Sequence, residues 1–379
     1  MNYFNFIFKG NIYFGVNSRS ILKKIIKEKN YNEICVIIDH ALMDLPIIDE
    51  LLKDLGQNIN IIDCDISEPT YDKLEEKRSL VSEQIDVFIG IGGGSALDLA
   101  KGLAVLNTNK NKAIMYRGFE KFDNPIPPII AIPTTAGTGS EITPNASFID
   151  KKAKRKMGIN GEAIRPEYAI LDPELTVSCP IGATVSAGVD SLVHATEAYV
   201  AKKSNPMAKI FAKKGFNLVF ENLPRLIDSL ENIELREKVM YGAFLSAIGL
   251  MNSGTGPAAA MSYPLGVRFG VPHGIGGGIF LPEVIKHNIE NGFHEYSNMI
   301  DDINSNLSIK KNALNFYEKI MKTWSKLNVP IDLGAFGMNS NHIDQFVADT
   351  MELKLALDQN PVSFNENEII SILQRLNVG

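Results

Sequence analysis

The first half of the chain alternates short apolar runs with segments whose apolar residues recur at helical spacing. The runs ICVIID (34–39), VFIGIGGG (87–94) and IIAIPTT (129–135) are rich in β-branched residues, and SALDLAKGLAVL (95–106) between two of them has a helical pattern. Short apolar strands that alternate with helices are typical of a parallel sheet wrapped by helices. The pattern therefore predicts an α/β domain over residues 1–182.

From about Thr184 onward the pattern changes. Segments such as NPMAKIFAKKGFNLVFENL (205–223) and ELREKVMYGAFLSAIGLM (234–251) have long helical periodicity, and no strand-like alternation accompanies them. A chain of 379 residues is also too long for one ordinary core. We therefore expect a second, all-α domain over residues 183–379.

The N-terminal segment FNFIFKGNIYFG (4–15) is apolar, but it lacks a basic leader followed by a continuous hydrophobic run. It predicts a pair of edge strands rather than a targeting signal. No apolar stretch approaches the ~20 residues that span a bilayer, so we expect no membrane association.

Composition narrows the class of protein further. Hydrophobic residues make up 45% and charged residues 22% of the chain, as in globular proteins, and a net charge of −6 argues against a nucleic-acid partner. The basic run KKAKRK (151–156) is short, and it predicts a solvated hairpin. Three scattered cysteines without CxxC spacing predict neither disulfides nor a thiolate zinc site, which favours a cytoplasmic protein.

A glycine turn between a strand and a helix is the first candidate site. Gly92, Gly93 and Gly94 allow close backbone approach, and Ser95 is placed to cap the helix. A helix N-terminus offers free N–H groups to a pyrophosphate, although a plain flexible turn would have the same composition. The threonine-rich PTTAGTGSE (133–141) follows the next strand, so it should lie at the same sheet edge.

Asp39 ends the apolar strand ICVIID. An acid there can accept hydrogen bonds from the adenosine ribose and repel a 2′-phosphate, which predicts a preference for NAD over NADP. An aspartate that merely caps the following helix is the alternative.

Asp190 and His194 stand four residues apart in AGVDSLVHATEAY, so a helix would place both on one face. This is metal-ligand spacing, but it also fits a surface pair on an amphipathic helix.

Five ordered motifs resemble the iron-containing (group III) alcohol dehydrogenases: GGGSALDLAK, IPTTAGTGSEIT, KMGINGEAIRPEYAILDPEL, AGVDSLVHATEAY and PLGVRFGVPHGIGGGIFLPEV. The resemblance implies a dehydroquinate synthase-like fold: an N-terminal dinucleotide-binding α/β domain, an all-α C-terminal domain and an active site in the cleft between them. It also implies a homodimer or larger homo-oligomer, and an NAD(P)-dependent enzyme that interconverts an alcohol and an aldehyde or ketone.

The resemblance also implies roles for individual residues around the cofactor. The glycine turn with Ser95 would bind the pyrophosphate, with Asp98 close by, and Lys156 would contact the cofactor. Loop and strand chemistry alone would also account for these residue types. Glu68 departs from the family pattern, which often has asparagine before this proline. Four threonines match positions on the nicotinamide and ribose side: Thr134, Thr135, Thr138 and Thr143.

For the metal, the resemblance implies Asp190, His194 and His273 as ligands to iron or zinc. The fourth ligand is expected fourteen residues before His273, where this chain has Ala259. Tyr263 replaces a second, non-ligating histidine. We therefore expect a weakly held or absent metal, with Tyr263 and His273 as candidate catalytic residues, although Tyr263 could equally be a packed aromatic.

The leading hypothesis is metal-assisted oxidation or reduction of a polar small molecule, such as a sugar, a sugar acid or a phosphorylated aldehyde. Three alternatives stay open: a metal-free dehydrogenase that uses Tyr263, a redox-neutral enzyme that uses NAD as dehydroquinate synthase does, and a silent nucleotide-binding protein.

Overall fold

The structure is a computed structural model that describes residues 3–56, 58–66, 68–301 and 306–376. The chain forms two compact units. One comprises Phe8–Cys179, and the other comprises the residues up to Ile7 together with those from Pro180 onward.

The first unit is built on a six-stranded, fully parallel sheet with the strand order β3-β2-β4-β6-β9-β1. A smaller sheet has the order β5-β8-β7. The strands are β1 (Asn11–Phe14), β2 (Ile34–Asp39), β3 (Ile59–Cys64), β4 (Val87–Gly92), β5 (Gly118–Phe119), β6 (Ile129–Pro133), β7 (Asn145–Asp150), β8 (Arg155–Asn160) and β9 (Tyr168–Leu171); the α-helices are α1 (Ile21–Lys29), α2 (Pro46–Lys53), α3 (Tyr71–Arg78) and α4 (Gly94–Thr108).

The apolar runs of the sequence become central strands because both faces of the large sheet are covered. In β2, Val36 and Ile38 contribute to one hydrophobic core, whereas Cys35 and Ile37 contribute to the other. Side chains alternate between the faces of a strand, so an uninterrupted apolar run fills two cores at once. This arrangement confirms the predicted parallel α/β domain.

Two local predictions have different outcomes. The basic run lies at the tip of the antiparallel β7–β8 hairpin, with residues 151–155 exposed, as predicted. The predicted pair of N-terminal strands is wrong, because only β1 forms. In the preceding segment Ile7 instead exchanges backbone hydrogen bonds with the side-chain amide of Asn252, at 2.6 and 2.9 Å.

The second unit contains helices and no strands among its described residues, which confirms the all-α prediction. The helix α5 packs against α6, α7 and α9, and α8 packs against α9. None of the helices in the described ranges is both long and apolar enough to span a bilayer. The helices are α5 (Ile181–Val200), α6 (Pro206–Leu226), α7 (Ile233–Met251), α8 (Pro257–Phe269), α9 (His273–Glu290), α10 (Ile309–Leu327), α11 (Ile343–Met351), α12 (Lys354–Leu357) and α13 (Glu366–Arg375).

Candidate cofactor and metal sites

The glycine turn connects the carboxyl end of β4 to the start of α4. Gly92 has a φ of +152°, and a Cβ there would lie only 2.8 Å from the Cβ of Asp39. Glycine is therefore required for the turn to pass this close to β2. Gly93 occupies the N-cap position and Gly94 begins the helix, without a side-chain cap. Ser95 lies inside the first turn, so the prediction that it caps the helix is wrong.

Asp39 is the last residue of β2 and lies directly beside this turn. Its Oδ1 accepts a hydrogen bond from the backbone N–H of Ala41 at 3.1 Å and so caps the short 3-10 helix His40–Leu42. The capping role that the sequence left open is therefore present. Its contact with a ribose stays a prediction, supported by its position at the carboxyl end of the strand next to the turn.

The threonine-rich loop lies against the glycine turn. The N–H of Thr134 donates to the carbonyl of Gly92 at 2.9 Å, and the side chain of Thr138 packs over Gly94. Thr138 is exposed and Thr135 is half-buried, whereas Thr134 and Thr143 are buried. Of the four predicted threonines, only Thr135 and Thr138 present accessible side chains beside the turn.

Asp98 holds this loop through both of its carboxylate oxygens. Its Oδ1 accepts from the hydroxyl of Ser140 at 2.6 Å, and its Oδ2 accepts from the backbone N–H of Ser147 at 2.8 Å. Burial raises the pKa of Asp98, while the nearby ammonium of Lys101 opposes that shift. The geometry therefore favours a role in shaping the loop over a direct contact with the cofactor.

Lys101 was missed in the sequence. It is fully buried, and its Nζ donates to Ser140 Oγ, Thr143 O and Asn145 O at 2.8, 3.0 and 2.7 Å. Burial lowers the pKa of Lys101 to about 8, but three acceptors match the three donors of an ammonium group. The signal available in the sequence was a lysine three residues after Asp98 within the largely apolar helix α4.

Lys156, on β8, pairs with the residue that departs from the family pattern. Its Nζ lies 2.6 Å from Glu68 Oε2, and the lysine side chain is largely covered. The proposed cofactor contact of Lys156 would therefore be made by an ammonium group that Glu68 partly neutralises.

Asp190 and His194 lie one turn apart on the same face of α5, and both are buried. His273 begins α9. The Nε2 atoms of His194 and His273 lie 3.4 and 3.8 Å from Asp190 Oδ1. The ligand atoms of the three residues all lie within 4.8 Å of one another. Burial excludes the surface-pair alternative, and the structure assembles the three side chains that the family pattern names.

The close packing of α9 against α5 explains why the residue after His273 is glycine. A Cβ at this position would lie 2.0 Å from the carbonyl oxygen of Ser186 and 2.8 Å from the Cβ of Asp190. No side chain fits there, so the start of α9 can approach α5 only with glycine. This close approach brings His273 to the ligands on α5.

Ala259 is buried in the first turn of α8 and has no group that can coordinate a metal. It shares a helix face with Ser262 and Tyr263, which stand three and four residues later. Both of these contact His273: the Ser262 hydroxyl lies 2.8 Å from Nδ1, and the Tyr263 ring packs edge-on at 4.9 Å between centroids. Ala259 therefore lies on the α8 face that is directed toward His273.

Glu197 is a second residue that the sequence analysis missed. This buried carboxylate on α5 accepts from the Thr255 hydroxyl and from the backbone N–H groups of Gly256, Ala258 and Ala259, at 2.7–3.3 Å. Burial raises its pKa, and these hydrogen bonds oppose the shift. Glu197 fixes the start of α8, and its committed oxygens do not supply the missing fourth ligand.

The donor set fits a divalent metal. One carboxylate and two imidazoles are ligands suited to iron(II) or zinc. Nε2 of His194 lies 3.4 Å from Asp190 Oδ1, and both side chains are buried, so this pair is too far apart for a good hydrogen bond. A cation between these groups would satisfy both the carboxylate and the imidazole.

Known proteins resemble the chain over nearly its whole length. The chain is 28% identical to the NAD-dependent methanol dehydrogenase of Bacillus methanolicus, covering 95% of this chain and 97% of that protein. It is also 28% identical to the 1,3-propanediol dehydrogenase of Citrobacter freundii, covering 98% of each. The crystal structure of a 1,3-propanediol oxidoreductase superposes with a TM-score of 0.93 at 26% identity, covering 99% of this chain and 100% of that one.

Family models match both units. The model described as iron-containing alcohol dehydrogenase matches residues 10–173, and the model for the C-terminal part of that family matches residues 184–377. The chain therefore belongs to the iron-containing alcohol dehydrogenase family and is an oxidoreductase of that class, as its sequence motifs predicted.

Proposed function

We propose that this oxidoreductase uses NAD, in preference to NADP, and a loosely held iron or zinc ion to interconvert a polar alcohol and its aldehyde or ketone. The observation that carries the proposal is the convergence of Asp190, His194 and His273. The family resemblance implies a fourth ligand where this chain has the buried Ala259. We further propose that it acts in the cytoplasm on a small molecule. Support for that compartment comes from the three cysteines, which are buried and form no disulfide.

The metal ion and the NAD cofactor would each supply a different part of the reaction. When bound, the metal supplies a Lewis acid for the substrate oxygen, and the nicotinamide supplies or accepts hydride. The chain's own contribution is to hold the donor atoms. Asp190 and His194 are fixed on one face of α5, and His273 is fixed at the start of α9. At the glycine turn, the positive end of the α4 dipole and the backbone of Gly93 and Gly94 would receive the pyrophosphate.

The substrate class follows from the incomplete ligand set. Three protein ligands leave a fourth coordination position for water or substrate, and a fifth when the metal expands its shell, so up to two positions are available. A substrate with two neighbouring oxygens, such as a sugar, a sugar acid or a phosphorylated aldehyde, could occupy two of them, whereas a simple alkanol could occupy only one. The relatives named for 1,3-propanediol offer a precedent for a substrate with more than one oxygen.

A metal-free dehydrogenase is the second candidate, and the position of Tyr263 favours it. The partly buried ring packs edge-on against His273, so Tyr263 lies beside a proposed metal ligand and is a candidate proton donor or acceptor. An unperturbed tyrosine has a pKa of about 10, so this role requires nearby positive charge.

The deciding experiment combines metal analysis of the purified protein with NADH oxidation against a panel of aldehydes and sugars. The proposal predicts substoichiometric iron or zinc, activity restored by added metal, and loss of turnover in His194→Ala. Turnover that survives both chelation and His194→Ala would overturn the metal-assisted mechanism, and Tyr263→Phe would then test the second candidate.

A further inference from the structure

A buried serine contacts Nδ1 of His273, one of the proposed metal ligands. Ser262 lies on α8 with only 1% of its surface exposed. Its Oγ lies 2.6 Å from the carbonyl oxygen of Ala259 and 2.8 Å from Nδ1 of His273. Both distances are those of good hydrogen bonds.

These two contacts determine the direction of the Ser262 hydroxyl proton and which ring nitrogen of His273 is protonated. A carbonyl oxygen can only accept, so the contact with Ala259 requires the single hydroxyl proton of Ser262. The hydroxyl oxygen must then accept from His273, which requires a proton on Nδ1. A neutral imidazole carries one N–H, so its lone pair is on Nε2.

This tautomer determines how the other ring nitrogen of His273, Nε2, interacts with Asp190. Nε2 of His273 faces Asp190 Oδ1 at 3.8 Å, so a lone pair and a carboxylate oxygen point toward each other without a proton between them. Two acceptors in that arrangement repel each other in the absence of a cation and both coordinate a cation that lies between them.

We propose that Ser262 is a positioning residue that fixes His273 in its metal-binding tautomer. The inference rests on the proposed metal-dependent function. With only three protein ligands, the affinity of this site depends strongly on each of them. Hydrogen-bond partners behind a ligating histidine typically contribute 10- to 100-fold in metal affinity.

The serine, histidine and aspartate do not form a hydrolytic triad. A nucleophilic serine must give its proton to the histidine, but the proton of Ser262 is directed at the Ala259 carbonyl. The hydroxyl is also buried and out of reach of a substrate.

The first test measures Zn²⁺ affinity by competition with a chromophoric chelator, using the full-length protein. Ser262→Ala should weaken zinc binding by about 10- to 100-fold. Ser246→Ala is the matched control, because Ser246 is a buried helical serine whose hydroxyl donates to the Gly242 carbonyl at 2.9 Å and contacts no histidine. Its zinc affinity should equal that of the unchanged protein. Equal affinities for all three proteins would overturn the inference.

The second test observes the tautomer without any metal. In metal-free protein labelled with ¹⁵N-histidine, His273 should show a protonated Nδ1 and an unprotonated Nε2, and Ser262→Ala should remove this bias. Ser262→Thr, which keeps a hydroxyl, should restore it. A protonated Nε2 in the unchanged protein would contradict the role of Ser262. A correct tautomer in a protein that binds no zinc would instead contradict the proposed metal function.

Discussion

At position 259 this chain has a methyl group, where the family resemblance implies an imidazole ligand. Ala259→His should tighten zinc binding by roughly 10-fold or more, because the residue lies on the α8 face directed toward His273 and would add a fourth ligand. Competition titration measures the change. Ala259→Leu adds comparable bulk without a donor, so it should not tighten binding. If both variants bind zinc as the unchanged protein does, the side chain at 259 does not face the site.

Asp39 offers a test of cofactor choice that separates its charge from its capping role. Asp39→Asn keeps an oxygen for the Ala41 N–H but removes the negative charge. The preference for NAD over NADP should fall by roughly 10-fold, because a 2′-phosphate would no longer be repelled. The ratio of kcat/KM for the two cofactors measures the effect. An unchanged ratio with normal stability would leave Asp39 only its capping role.

The sequence anticipated residues whose chemistry follows from one short motif, and it missed residues whose roles depend on distant contacts. The spacing of Asp190 and His194 predicts a shared helix face, and the structure brings His273 to it. Lys101 and Glu197 were missed because their partners lie in loops and helix ends far along the chain. Ser95 was misassigned as a cap because the N-cap is Gly93 and the helix begins at Gly94, two residues earlier than a Ser95 cap requires.

At the scale of elements, α4 determines the shape of the threonine loop through Asp98 and Lys101. Lys101→Met should destabilise the protein by about 3–5 kcal/mol, because the Asp98 carboxylate would lose its buried counter-charge. It should also weaken NAD binding. Chemical denaturation and calorimetry measure the two effects. The double variant Asp98→Asn/Lys101→Met should recover part of the lost stability. Strict additivity of the two changes would contradict the coupling.

The approach of α9 to α5 depends on the absence of one side chain. Gly274→Ala should cost about 3 kcal/mol or more and abolish tight metal binding, because the new Cβ would overlap the Ser186 carbonyl. Gly182→Ala is the control within α5, since a Cβ there meets nothing within 4 Å. That variant should be neutral or slightly stabilising. Thermal unfolding and zinc titration of both variants measure the effects, and full metal affinity in Gly274→Ala would refute the role assigned to the close approach.

At the scale of the whole molecule, the parallel sheet and the separate all-α unit followed from apolar periodicity, whereas the form of the N-terminal segment did not. Its apolar residues predicted two strands, but only β1 has a neighbouring strand to pair with. The preceding backbone hydrogen-bonds to the side chain of Asn252, the residue that follows α7, a partner that periodicity cannot identify. Local patterns specify which faces are apolar, and tertiary contacts decide what covers them.

The N-terminal segment also carries the prediction of assembly. Tyr3 and Phe8 are 97% and 45% exposed, and such apolar surface favours contact with another copy of the chain. We expect a homodimer or a larger homo-oligomer. Light scattering coupled to gel filtration measures the mass, and a monomer at working concentration would contradict the prediction.

The hydrogen bonds around Ala259 have an evolutionary consequence. The N–H of Ala259 donates to Glu197, and its carbonyl accepts from Ser262. The backbone at this position is therefore fixed by the side chains of two other residues and not by its own side chain. A ligand at such a position can be lost or regained by a single substitution while the helix stays in place. Alanine and histidine at position 259 should therefore both be compatible with the same fold.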